Sequence, residues 1–286
     1  MKCIEKRGEV EVTGVSDFDL ARIFECGQCF RWNADVNGIY TGVVKSRVAR
    51  VRRMGGSVFI SGTMEDFELL WRDYFDLNRD YGEIRRQLCI DDFMREATAY
   101  GAGIRILRQD KWEALCSFII SQNNNIPRIK GIVGALCELY GDSFEFEGCE
   151  YHAFPTAERL AELETKGLAP IRCGYRADYI LGAAREVASG KLDLESLANA
   201  SPSVARATLK TLHGIGDKVA ECAVLFGLGM LNAFPLDIWM KRAIAEHYGQ
   251  GFDPEIFSPY AGIAQQYIFY YMRSTASRKR SFAQGS

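Results

Sequence analysis

The run from Leu212 to Trp239, LHGIGDKVAECAVLFGLGMLNAFPLDIW, constrains the fold of this chain more than any other segment. Its Gly214–Ile215–Gly216 turn is flanked by apolar residues, a pattern typical of two helices packed across a hairpin. A glycine turn at a helix start leaves backbone N–H groups unpaired. Together with the positive end of the helix dipole, they can hold a phosphate. Taken alone, the turn is explained as well by a corner in which glycine relieves backbone strain.

The same run carries an amine and a carboxylate that two helix starts bring towards each other. Lys218 lies in the first turn after the hairpin, and Asp237 follows a proline that announces the next helix. A nucleophilic lysine attacks as the neutral amine, which a helix N-terminus and a dry pocket favour. A nearby carboxylate can orient the amine and stabilise positive charge on a sugar. Separately, Lys218 would be a solvated side chain and Asp237 a helix N-cap. Together they predict an imine-forming active site.

Hydrophobic patterning divides the chain into a β-rich part and a helical part. Up to about Gly62, apolar and polar residues alternate between glycine pairs, which predicts antiparallel strands and tight turns. Helical spacing begins at Met64, and the later helices are predicted at roughly 110–121, 126–140, 156–164, 177–189, 203–212, 218–226, 238–247 and 259–272.

We therefore predict an α+β fold. A β-rich N-terminal domain with antiparallel strands and a helical end (1–105) precedes a mostly α-helical domain (106–274) and a flexible basic tail (275–286).

Charge and cysteine content narrow the class of protein. A formal net charge of −2 argues mildly against a general polyanion binder, so a DNA enzyme of this composition would depend on a few local phosphate contacts. Nine scattered cysteines, an odd number, indicate a reducing intracellular compartment and not a disulfide framework. The charged N-terminus and the lack of a long apolar stretch predict neither a signal peptide nor a membrane span. We expect a monomer.

At this point the residues carry a resemblance to a known family. LHGIGDKVAEC followed by FPLDIW resembles the helix-hairpin-helix and Gly/Pro…Asp motif of the HhH-GPD superfamily of DNA glycosylases. Over nearly its full length the chain resembles the 8-oxoguanine DNA glycosylase family. The other matching segments, in the same order, are CGQCFRW (Cys26–Trp32), SQNNNIPRI (Ser121–Ile129), GYRADYI (Gly174–Ile180) and PYAGIAQQYIF (Pro259–Phe269).

The resemblance implies a bifunctional enzyme of base-excision repair, with duplex DNA carrying 8-oxoguanine opposite cytosine as its partner. Lys218 would attack C1′ of the flipped nucleotide and release the oxidised base. The resulting imine would permit β-elimination, which is the AP lyase activity, and Asp237 would assist both steps.

The resemblance also implies a pocket for the flipped base. The Gly27 carbonyl would accept a hydrogen bond from the N7–H that oxidised guanine has and guanine lacks. Phe269 and Cys222 would sandwich the base, and Gln265 would bind its pairing edge. The spacing agrees, because Gln265 and Phe269 share a helix face and Cys222 lies one turn beyond Lys218. Without the resemblance, Phe269 and Cys222 would be core residues and Gly27 a strand turn.

Four further residues would act on the duplex around the flipped base. The resemblance makes Asn123 the plug of the vacated space, Tyr175 a wedge, and Arg128 and Arg176 the donors to the orphaned cytosine. The alternative is that Asn123 belongs to a polar turn and that both arginines are surface charges.

The chain departs from the family at two positions and calls for no cofactor. Trp239 replaces the usual histidine after the aspartate, and Met272 replaces an aspartate after Phe269. Tryptophan keeps one N–H donor but cannot become cationic, so a phosphate contact would be weaker or made differently. A cation at the hairpin backbone is compatible with the resemblance, although no side-chain ligand set marks one.

Three alternatives have distinct sequence requirements. Relatives that act on alkylated bases, or on adenine mispaired with 8-oxoguanine, typically keep the aspartate without the lysine, so Lys218 counts against them. The endonuclease III type has four cysteines after the aspartate for an iron–sulfur cluster, and this chain has no cysteine after Cys222. A non-catalytic helix-hairpin-helix module explains the glycine turn but not Lys218, Asp237 and the pocket residues together.

Overall fold

The computed structural model describes the backbone of residues 1–284 and the side chains of residues 1–276. The chain begins with six strands: β1 (Lys2–Lys6), β2 (Glu9–Thr13), β3 (Trp32–Ala34), β4 (Tyr40–Val44), β5 (Arg47–Met54) and β6 (Ser57–Ser61). They form one antiparallel sheet in the order β1-β2-β6-β5-β4-β3, which confirms the predicted β-rich start. Helix α1 (Leu20–Glu25) interrupts the strands and was not predicted.

Helices form the rest of the fold. They are α2 (Met64–Asp66), α3 (Arg72–Tyr74), α4 (Tyr81–Leu88), α5 (Asp92–Tyr100), α6 (Lys111–Ile120), α7 (Ile126–Tyr140), α8 (Ala157–Ala161), α9 (Arg176–Ala188), α10 (Leu194–Ala198), α11 (Pro202–Leu209), α12 (Asp217–Cys222), α13 (Ile238–Ala243) and α14 (Ala261–Gln284). Single π-helical turns join α2 to α3 and prolong α12 and α13: Phe67–Trp71, Ala223–Gly227 and Ile244–Tyr248. Two 3₁₀ segments complete the list: Thr165–Ile171 and Pro254–Phe257.

The predicted α+β class is confirmed, and two local differences stand out. A small hairpin, β7 (Ser143–Phe146) and β8 (Cys149–His152), lies within the helical part. Its sequence alternates aromatic and acidic residues, and Glu147 and Gly148 both have the positive φ that a tight hairpin turn needs. Helix α14 extends beyond the predicted end at 272. The tail predicted at 275–286 overlaps that helix, its last two residues lie outside the described part of the chain, and its mobility stays a prediction.

Two hydrophobic cores support the fold. The sheet core contains Phe24 and Trp32, whose rings stack with centroids 4.2 Å apart. The helical core gathers apolar side chains from α4 to α14, including Ile119, Ala220 and Ile263. The domain limits expected at 105/106 and 274/275 stay predictions. Among the described residues, no helix combines the length and the apolar character that crossing a bilayer requires.

The two glycines of the hairpin between α11 and α12 differ in conformation and surroundings. Gly214 has φ +81°, and a Cβ at this position would lie 2.3 Å from the ring of Tyr179 on α9. Glycine is therefore required by both conformation and packing. Gly216 has φ −94°, and no described heavy atom lies within 4 Å of the place where a Cβ would be. Relief of backbone strain therefore explains the glycine at 214. It does not explain the glycine at 216, whose exposed backbone is accessible to a ligand such as a phosphate.

One carboxylate connects the hairpin to the segment that carries Asp237. Glu221 on α12 pairs with Arg206 on α11 and accepts a hydrogen bond from the backbone N–H of Phe234 at 3.1 Å. Both interactions are charge-assisted, which makes them stronger than neutral hydrogen bonds. They hold α12 against both α11 and the segment that leads into α13.

The contrast between the two hairpin glycines can be measured. Gly214→Ala should lower the free energy of unfolding by more than about 2 kcal/mol, because it combines left-handed strain with a ring clash. Gly216→Ala, the matched control, should cost at most about 1 kcal/mol. Urea unfolding followed by circular dichroism measures both values. Equal costs for the two variants would contradict this account of the hairpin.

Candidate active site

One cavity, of about 720 Å³, lies between the hairpin, the α6–α7 loop, α13, α14 and the turn after α1. Its lining includes both predicted catalytic residues and all four predicted pocket residues: Lys218, Asp237, Gly27, Cys222, Gln265 and Phe269. Asn123, the predicted plug, lines the same cavity. Residues from five separate parts of the sequence thus meet at one place. The roles assigned to them stay predictions, but their meeting is a property of the fold.

The amine of Lys218 is held by a residue that the sequence did not single out. Its Nζ donates to the Ser121 hydroxyl at 3.1 Å and lies 5.7 Å from the centroid of the Phe118 ring. The hydroxyl of Ser121 itself donates to the Phe118 carbonyl at 2.8 Å. Since the hydroxyl proton is committed there, its oxygen serves as the acceptor for the amine. The C-terminal end of α6 therefore fixes where the lysine points.

Asp237 is at once a helix cap and part of the cavity wall. Its side chain accepts a hydrogen bond from the backbone N–H of Met240 at 2.9 Å, so it is the N-cap of α13. Burial raises the pKa of the Asp237 carboxyl above its usual value, while hydrogen bonds from α13 and the charge of Lys218 oppose that rise. Asp237 can therefore be both the N-cap of α13 and a catalytic group, because the carboxylate that caps the helix is also close enough to Lys218 for the charge of the lysine to affect its pKa.

Two of the pocket residues have electrostatic states suited to a neutral, planar ligand. Burial raises the pKa of the Cys222 thiol to about 11, although the charge of Lys218 opposes this, so the thiol is neutral near pH 7. Gln265 is 4% exposed, and its side-chain oxygen has no hydrogen-bond partner among the described residues. This buried oxygen on the cavity wall is therefore an acceptor that a donor on a ligand can reach.

The turn that contains Gly27 depends on the positive φ of this glycine and on hydrogen bonds from two glutamine side chains. Gly27 has φ +87°, and a Cβ here would lie 3.3 Å from Ile126 and 3.6 Å from Phe269. Gln266 donates to the carbonyl of Cys26 at 2.9 Å. Gln28 is fully buried and holds the far side of the turn: its amide donates to the carbonyls of Ile23 and Arg105 and accepts from the N–H of Leu107. Both glutamines lie in segments that carry the family resemblance, but neither was singled out from the sequence.

Arg176 lies beneath the Asn123 loop and not on the surface. It is 3% exposed and donates to the main-chain carbonyls of Gln122, Asn123 and Cys173, the last two at 3.0 Å. Asn123 itself is exposed, with φ +46° in the left-handed region. The surface-charge alternative for Arg176 is therefore wrong. In this structure the guanidinium supports the loop, and its contact with cytosine stays a prediction.

Arg128 and Tyr175 are exposed. Arg128 lies in the first turn of α7 and donates to the Arg172 carbonyl at 3.4 Å. Tyr175 is 51% exposed, and its ring lies 5.6 Å from that of Tyr179, the residue packed on the glycine hairpin. The predicted wedge is therefore joined through one aromatic contact to the predicted phosphate-binding turn.

The two departures from the family have different surroundings. Met272 is 6% exposed and packs in the helical core, where an aspartate would bury a charge. Trp239 lines the cavity next to Asp237. Lys241, which also lines the cavity and was not singled out from the sequence, places a cation two residues beyond Trp239. Within the described residues, no three His, Cys, Asp or Glu side chains are grouped as metal ligands.

Comparisons with known proteins agree with this geometry. Residues 12–115 match the family model described as 8-oxoguanine DNA glycosylase, N-terminal domain, and residues 116–255 match HhH-GPD superfamily base excision DNA repair protein. An N-glycosylase/DNA lyase of Saccharomyces cerevisiae is 31% identical over 259 residues, covering 82% of this chain and 69% of that protein.

Two solved structures are similar over almost the whole chain. MBOgg1, solved with a low-affinity DNA ligand, is 44% identical with a TM-score of 0.91, covering 96% of this chain and 99% of the other. The Clostridium acetobutylicum 8-oxoguanine glycosylase/lyase, bound to double-stranded DNA with cytosine opposite 8-oxoguanine, is 38% identical with the same TM-score and coverage. The chain therefore belongs to the 8-oxoguanine DNA glycosylase family, within the HhH-GPD superfamily of base-excision DNA repair proteins.

Proposed function

We propose that this protein removes 8-oxoguanine paired with cytosine from duplex DNA and then nicks the strand through a lysine imine. The observation that carries the proposal is the shared cavity. Lys218 and Asp237 line it together with Gly27, Gln265 and Phe269, so nucleophile and base-recognising groups face one space. A binding module without chemistry would not need a lysine held by Ser121 beside a partly buried carboxylate.

In the first step the base is replaced by the lysine. The neutral amine of Lys218 attacks C1′, the C1′–N9 bond breaks, and its electron pair leaves with the base, which takes up a proton. Asp237, as a carboxylate, stabilises the positive charge that develops on the sugar and the charge on the attached amine. Ser121 orients the amine throughout, because its oxygen accepts an N–H and leaves the nitrogen lone pair directed elsewhere.

In the second step the strand is cut. The C1′ aminal loses its ring oxygen and becomes an imine with the opened sugar. A base then removes a proton from C2′, and the C3′–O3′ bond breaks, releasing the 5′-phosphate end of the downstream strand. Water finally hydrolyses the imine and returns the Lys218 amine.

Four residues of the cavity wall recognise the oxidised base. The Gly27 carbonyl accepts from the N7–H of 8-oxoguanine, and the unpartnered oxygen of Gln265 accepts from its pairing edge. Phe269 and the neutral thiol of Cys222 bound the two faces of the base. Unmodified guanine would present a lone pair to the Gly27 carbonyl, leaving two acceptors opposed in a dry site.

The surrounding duplex is held by residues at the mouth of the cavity. Asn123 fills the vacated space, Tyr175 opens the neighbouring step, and the exposed Arg128 and the buried Arg176 donate to cytosine. The hairpin backbone at Gly214 and Gly216 binds a phosphate, and a cation held by main-chain oxygens there could assist. The enzyme acts as a monomer without a required cofactor, in the cytoplasm, nucleoid or nucleus according to its source.

Replacing the nucleophile tests the imine. Lys218→Gln should abolish the adduct trapped by borohydride on a duplex carrying 8-oxoguanine opposite cytosine, and should abolish nicking, while lesion binding is retained. Gel electrophoresis of trapped complexes, beside an undamaged duplex, measures the adduct. Normal nicking by Lys218→Gln would refute the mechanism.

Replacing the carboxylate separates capping from catalysis. Asp237→Asn keeps a helix N-cap, so the fold should be unchanged, but single-turnover base release should fall about 10²–10⁴-fold. Burial raises the pKa of Asp237, so the wild-type rate should fall as pH decreases through a value above the roughly 3.9 of an exposed aspartate. The Asn variant should lack that acid limb. An unchanged pH profile in Asp237→Asn would assign the limb to another group.

The two arginines differ in burial, which makes them separable. Arg128→Ala should reduce the preference for cytosine opposite the lesion about tenfold, with little change in stability, because Arg128 is exposed. Arg176→Ala should reduce the same preference and also lower the free energy of unfolding by about 2 kcal/mol, because three carbonyls lose a charged donor. Rates opposite cytosine and adenine, with urea unfolding, measure both effects. If Arg128→Ala keeps the wild-type preference for cytosine, Arg128 has no role in recognising the opposite base.

A further inference from the structure

We propose that Gln266 and Arg273 are the positioning residues that give this pocket its discrimination between 8-oxoguanine and guanine. They act by binding the two successive main-chain carbonyls that precede Gly27. The inference rests on the proposed function, because it concerns how the Gly27 carbonyl is held against the base that Gln265 and Phe269 bind.

Helix α14 grips the turn at two consecutive points. Gln266 donates to the carbonyl of Cys26 at 2.9 Å, and Arg273 donates to the carbonyl of Glu25 at 2.7 Å. The two donors are seven residues apart, which is two helical turns, so they lie on one side of α14. The guanidinium of Arg273 also lies 5.3 Å from the centroid of the Phe269 ring. The helix that carries the base-binding side chains thus holds the turn that carries the base-reading carbonyl.

Gly27 needs such a hold because it cannot fix its own orientation. Its φ of +87° lies in a region where glycine moves between conformations at little cost. A carbonyl distinguishes N7–H from a lone pair only within hydrogen-bonding distance, because the interaction weakens steeply with distance and angle. With the carbonyls of Glu25 and Cys26 bound on one side and Gln28 clamped on the other, the peptide between them has little freedom to rotate.

The character of Gln266 supports a role beyond packing. It is 2% exposed and lies in a helix segment whose neighbours Ile263, Tyr267 and Ile268 are buried hydrophobics. Burying an amide is costly unless it is hydrogen-bonded, and an apolar side chain would fill the space without that cost. What the amide adds at this position is the bond to the Cys26 carbonyl.

The test measures discrimination apart from catalysis. In a Lys218→Gln background, affinities for duplexes containing 8-oxoguanine–cytosine and guanine–cytosine pairs are measured by fluorescence anisotropy, and their ratio is compared between variants. Gln266→Met keeps the volume and removes the donor, and Gln266→Asn keeps an amide too short to reach Cys26. Either should lower the ratio about tenfold, mainly through weaker binding of the lesion. Arg273→Met should lower it as well, and Arg273→Lys should retain most of it.

A matched control separates specificity from stability. Thr98→Val removes a buried hydroxyl on α5 that donates to the Met94 carbonyl at 2.7 Å, far along the chain from the turn. It should lower stability without changing the affinity ratio. If the Gln266 and Arg273 variants also lose only stability and keep the parental ratio, the positioning role is refuted. If the Lys218→Gln parent shows no preference for the lesion, the proposed function is refuted, and this inference with it.

Discussion

The site depends on the close packing of the glycine hairpin against its neighbours. Gly214 lies so near the ring of Tyr179 that no side chain fits, which sets the start of α12 and therefore Lys218. Glu221 then binds both Arg206 and the backbone at Phe234, which sets the start of α13 and therefore Asp237. Without these contacts, amine and carboxylate would belong to two independent helix starts. A catalytic pair needs sub-ångström placement, which packed helices provide better than loops do.

The pocket is built to leave particular groups unsatisfied. A buried oxygen on Gln265 lacks a partner within the described structure, and burial makes Asp237 harder to ionise. Both arrangements cost stability in the free protein, and in the proposed reaction a base with donors and a sugar with developing positive charge would compensate that cost. Cys222 and Phe269 contribute neutral surfaces to the cavity, so in the proposed recognition the polar groups determine which base is held.

A net charge of −2 is compatible with a DNA enzyme whose phosphate contacts are few and local. Many of its arginines are engaged within the protein: Arg105 and Arg176 bind main-chain carbonyls in the interior, and Arg31 pairs with Glu113. In the proposed complex the duplex would be held by the hairpin backbone, the exposed Tyr175 and a few cations. Backbone amides and inserted side chains would then supply the affinity that a broad basic surface gives other DNA-binding proteins.

The sequence by itself determined the α+β class, the helix-hairpin-helix and the pairing of Lys218 with Asp237, because glycine turns, periodic apolar residues and a paired lysine and aspartate are local patterns. Gly27, Cys222, Gln265 and Phe269 were named from the resemblance to the family, and all six residues line one cavity. Only the tertiary structure decided that Ser121 holds the lysine, that Arg176 supports a loop from beneath, and that Gln266 binds Cys26. Each of these contacts joins residues more than fifty positions apart, and an amide or hydroxyl has the same letter whether it faces water or a buried carbonyl. The β7–β8 hairpin was missed for a related reason. Its strands are four residues long and only partly buried, so the alternation of apolar and polar residues is too short to predict a strand pair.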